Sequence, residues 1–155
     1  MIRIVFTEEE VQEKIGRKFP KEEEILRYMK LVVEEPKITF LGKKSRLQID
    51  VDAKFIIPLI RTDEISGVFE SSLRYEKEDN TLRISDFEVV SLDTKELPKK
   101  YEGPVRAVFN ALAKKLLDDH VVYTLKKEDF KDKAADMLLQ QVNIKKGQLE
   151  IVLGL

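Results

Sequence analysis

His120 is the only histidine in this 155-residue chain, and there is no cysteine. A lone imidazole makes a metal site only where further ligands stand at suitable spacing, and none do here. His120 closes an amphipathic run, where a protonated ring would interact well with a helix dipole and with Asp118 and Asp119. The two aspartates are formally an acid/base pair. Neighbours on a helix point about 100° apart, however, so they read as solvated surface. Gly42-Lys43-Lys44-Ser45 has the outline of a phosphate-binding loop, yet the first glycine of that motif falls on Lys37. Asp50 and Asp52 share the outer face of a strand, a usual place for hydrated charge. Ser66, Ser71 and Ser72 have no histidine within predictable reach, so no nucleophile triad assembles. No catalytic, metal or cofactor motif remains, and the expectation is a protein without enzymatic activity.

The charge balance narrows the partners. Net charge is −1, with 28 basic and 29 acidic residues interspersed, so nothing marks a nucleic-acid surface. With 43% hydrophobic and 37% charged residues the chain reads as one globular domain, residues 1–155. No apolar run approaches the ~20 residues of a membrane-spanning helix. MIRIVF leads straight into charged sequence, so no signal peptide is read there. That fits either a cytoplasmic chain or the mature part of an exported one.

The elements that position these residues follow from periodicity. Val105, Val108, Phe109, Leu112 and Leu116 lie on one stripe of a helix from Pro104 to His120, which starts as early as Pro98 on a wider reading. Ahead of it, Ile2–Phe6 alternates as a strand, and Thr7 with Glu10 forms a capping box for a short helix ending near Gly16. Residues 28–33 tip toward strand, Pro36 interrupts, and Ile38 and Phe40 resume the alternation. Leu47 through Ile57 and Ile65 through Tyr75 are long strands with one apolar face. A third begins at Leu82 and slips phase at Ser85-Asp86, which predicts a bulge. Val121–Leu125 is a short strand, residues 127–140 a second amphipathic helix, and Val142–Leu153 a closing hairpin. Strands this long imply a strongly curved sheet.

Several stretches resemble the YceB-like family of uncharacterised bacterial lipoproteins. They are VFTEEEVQEKI from Val5, LRYEKEDNTLRISDFEVVSLD from Leu73, the helix running into Tyr123-Thr124-Leu125, and VNIKKGQLEIVL from Val142. The resemblance implies an α+β, TULIP-like half-barrel: a long, strongly curved antiparallel sheet around one long amphipathic helix, with one or two shorter helices. It also implies a periplasmic domain held to a membrane by an N-terminal lipid anchor; the signal peptide and anchor cysteine of the family are absent from this sequence. The expected ligand is a lipid or other elongated hydrophobic molecule, with no cofactor. Val51, Phe55, Phe69, Leu73, Phe109 and Leu112 are the expected apolar lining. A solid-core assembly module of the envelope is the competing expectation, distinguished by a filled interior and an exposed apolar patch.

Overall fold

The computed structural model describes residues 2–25, 27–125 and 138–154. Strand β1 (Ile2–Thr7) runs into α1 (Glu8–Gly16), whose capping box is present: the Thr7 hydroxyl accepts from the Glu10 N–H at 3.2 Å. Then come β2 (Lys21–Ile25), β3 (Met29–Val33), β4 (Lys37–Leu41), β5 (Arg46–Ile57), β6 (Arg61–Glu76) and β7 (Thr81–Asp93). Helix α2 (Lys99–Leu117) follows, then β8 (Val121–Thr124), β9 (Leu138–Lys145) and β10 (Gln148–Gly154). The architecture is α+β, a strongly curled antiparallel half-barrel with a 19-residue helix in its hollow.

Seven strands make the main sheet, in the order β2-β3-β5-β6-β7-β8, with β4 continuing β3 along the same edge of β5. Pro36 lies in the break between them, where an edge tolerates a missing N–H. The free edge of β4 is covered by α1. Gln12 accepts from the Ile38 N–H at 2.7 Å, and Glu8 accepts from the Phe40 N–H at 2.9 Å. These bonds occupy donors that would otherwise invite another strand.

The sheet is not single, as the strand phases implied. β1 pairs with β10, and β10 with β9, as a separate three-stranded sheet that shares the one core. Pairing of Ile2 with Leu153 joins the two ends of the chain, a contact that no local pattern encodes. The wider start of the long helix is the one observed, and two other boundaries move. α2 begins at Lys99, so Pro104 lies inside it; the extra turn brings Tyr101 onto Phe55, ring centroids 5.5 Å apart. At its other end Asp118 is already extended, and Asp119 has a left-handed φ of 61°. The helix expected over 127–140 lies mostly outside the described residues, and from Leu138 the chain is strand. The phase slip at Ser85-Asp86 is a bulge: Ser72 pairs with Ser85 but Glu70 with Glu88, and Asp86 takes a φ of 49°.

Candidate functional site

The seam between α2 and the concave face of the sheet is the place the sequence points to. β5, β6 and β7 present alternate residues to it, and α2 lays its apolar stripe along it. Val51, Phe55, Phe69, Phe109 and Leu112 are all buried. Phe69 stacks on Phe87 at 4.8 Å and meets Phe109 at 6.0 Å. Val51 pairs with Gly67, and a Cβ on Gly67 would stand 2.7 Å from Phe109 Cε1. The helix therefore rests directly on the backbone of β6 at this point. Phe55 lies further toward the start of α2, beside Tyr101. Around these residues the interior is filled by protein side chains.

Leu73 is different. It is half-buried, at the opposite end of the seam, and lines a cleft of about 800 Å³ with Ser72, Arg74, Tyr75, Ser85, Asp86, Asp118, Asp119 and Val142. The β6–β7 bulge forms part of its wall, as bulges commonly do where a sheet re-aims its side chains. Arg46 pins that bulge from outside, donating to the Asp86 carbonyl at 3.0 Å, to Ser72 at 2.9 Å and to Glu88 at 2.6 Å. The rim is polar: Arg74 meets the Asp119 carboxylate at 2.6 Å, and Arg83 approaches the same carboxylate at 3.5 Å. Asp119 thus serves an ion-pair network with Arg74 and Arg83. Half-buried Tyr75, Phe87, Val108, Leu116 and Val142 continue the core toward solvent. Val142 was not read as a site residue, because its position depends on how β9 crosses β6, which strand alternation cannot show.

Two of the other chemical candidates lie within the sheet. Ser71 is buried in the core, and Ser72 accepts from Arg46. Among the described residues no group of three His, Asp or Glu side chains is placed to hold a metal ion. Nor is any helix among them long and apolar enough to cross a membrane.

His120 also departs from expectation. Its pKa is lowered from 6.5, first by burial and then by the charge of Lys18, against an opposing hydrogen bond to the Lys14 backbone. The imidazole is therefore neutral at pH 7, and the helix dipole does not hold it protonated. The unfolded chain binds this proton more tightly, so stability rises with pH while the two states differ in protonation. The contribution of His120 is complete above pH 6.5 and is lost as the pH falls through its lower folded value. Urea midpoints between pH 7.5 and 5 are expected to fall more in the wild type than in His120→Gln; equal slopes would refute the assignment.

Comparison with known families bears on most of this chain. Residues 6–148 match the family model described as "Protein of unknown function (DUF1439)". No curated protein matches the sequence.

Proposed function

We propose that this chain, which belongs to the DUF1439 family, is a non-catalytic binding module for a lipid or other elongated hydrophobic molecule. In this reading it is a YceB-like, TULIP-type lipoprotein domain, tethered in the periplasm. The observation that carries it is a half-barrel wrapped around one amphipathic helix, with the seam ending in a cleft of about 800 Å³ at Leu73 and Val142. That volume falls within the range of roughly 300–1,000 Å³ usual for small-molecule sites. An apolar chain laid against Leu73 gains about 25 cal/mol per Å² buried, while Arg74 and the rim hold a polar end in water. Deeper entry requires α2 to part from the sheet, because Phe69, Phe109 and Gly67 leave no gap.

That closure favours a second reading, the solid-core assembly module with no ligand. Native mass spectrometry of the purified protein separates the two. Adducts with the mass of a lipid, displaced by an added fatty acid and reduced in Leu73→Glu, are the expected result. A single unliganded species that takes up no fatty acid would leave the assembly module as the function.

A further inference from the structure

Two hairpin turns meet at the end of the main sheet remote from the cleft. β3 pairs with β5 as Lys30 to Ile56, and two residues further along that register Tyr28 stands level with Pro58. The β2–β3 turn therefore lies beside the β5–β6 turn, Pro58–Ile60. Their side chains are unusual for turns. Leu59 is fully exposed at 108%, Ile60 is 74% exposed and Tyr28 61%.

Leu59 also takes a φ of 65°, a conformation that glycine or asparagine adopts more readily. Turn chemistry and solvent exposure both disfavour leucine there. Neither local folding nor core packing explains the residue, so its use lies outside the fold. The tip carries Arg27 in one turn and Arg61 next to the other, while Lys30 stands level with Glu24 on β2, and Glu22 and Glu23 lie further from the tip. Arg27 makes no ion pair among the described residues, whereas Arg61 is held by Asp63 at 2.8 Å and Lys30 lies 3.9 Å from Glu22. The contact of Tyr101 with Phe55 brings the start of α2, with exposed Lys99 and Lys100, toward the same end.

We propose that this paired-hairpin tip inserts into the surface of an anionic bilayer, with Leu59 and Ile60 in the acyl boundary, Tyr28 at headgroup level and Arg27 on lipid phosphate. A bilayer accepts a protruding apolar turn without shape complementarity, and it favours tyrosine and basic residues at its interface. A protein partner is the poorer fit. The tip is convex and small, far from the ~800 Å² per partner of a standard interface. The inference does not rest on the ligand cleft, which lies at the other end of α2.

The test is flotation of the full chain with phosphatidylethanolamine/phosphatidylglycerol vesicles and with neutral phosphatidylcholine vesicles. The expected result is binding to the anionic vesicles, weakened by salt. It falls roughly tenfold in Leu59→Asn/Ile60→Ser and less in Arg27→Gln. Asparagine suits the left-handed turn, so an unchanged thermal melt verifies the fold of the double variant. No flotation of the wild type, or equal flotation of the double variant, overturns the proposal. So does a loss confined to Leu73→Glu, which assigns vesicle contact to the cleft. Self-association abolished by Leu59→Asn without any vesicle binding makes the tip a protein contact, and equally overturns it.

Discussion

Phe109→Ala is expected to lower the unfolding free energy by about 3–5 kcal/mol, the cost usual for emptying a buried phenylalanine site. Phe109 is 1% exposed, its ring meets Phe69, and its edge rests on Gly67 of β6. The sheet cannot collapse into the vacancy, because Phe69 is already fixed on its other side by Phe87. Against a typical total of roughly 5–15 kcal/mol, the loss is about a fifth or more of the stability. At about 2–4 °C per kcal/mol for a domain of this size, the melting temperature should drop by ~10 °C. The same variant addresses function. If Phe109 is core only, its mutational loss is the same in the lipid-loaded and the stripped protein. If it also borders a ligand, the loss is larger in the loaded protein and shrinks on stripping. A drop below about 1 kcal/mol in both forms would show that the helix is not seated on the sheet as described.

What the sequence disclosed is what is written in short-range spacing. Leu47 to Ile57 alternates in sequence, and the same residues alternate in burial. Thr7 and Glu10 announce a capping box because the bonds span a single helical turn. The bulge at Ser85-Asp86 is visible because one extra residue shifts every later side chain to the other face. β2 was not visible. Lys21-Glu22-Glu23-Glu24 is exposed throughout, has no apolar phase and is held only by pairing with β3. The second sheet was hidden for a different reason: its strands were legible singly, but the partner of β10 lies at the far end of the chain. The site shows the same division. The apolar faces of β5 and β6 identified most of the buried residues, whereas on β7 the phase expected to continue through Phe87 and Val89 does not: Phe87 is half-buried and Val89 exposed. Whether the buried residues touch one another or a ligand depends on the distance between α2 and β6, which is set by three-dimensional packing. Leu73, chosen with the rest, reaches the cleft only because β9 and the bulge meet beside it.

That helix–sheet distance is fixed largely by Gly67, and Gly67→Ala is expected to destabilise the protein by about 1–3 kcal/mol, the usual cost of overpacking a core. Two effects oppose each other. Alanine restricts the unfolded chain and suits a strand better than glycine, a gain of about 0.4–1 kcal/mol where the site accepts it. Here the new methyl would stand 2.7 Å from Phe109 Cε1, 3.0 Å from Leu92 Cδ2 and 3.0 Å from Phe69 Cε2. The phenylalanine rings are buried and hold each other in place, so neither turns aside freely. The steric effect therefore wins. A double-mutant cycle isolates the contact: with Phe109→Leu in the background the ring edge is gone, and adding Gly67→Ala should cost markedly less than it does alone. Additive costs would mean that the methyl disturbs Leu92 or Phe69 and that the Phe109 contact is not what sets the height of α2. A stabilising Gly67→Ala would be more telling still, since it would reveal unfilled space between helix and sheet, the space that an apolar ligand needs.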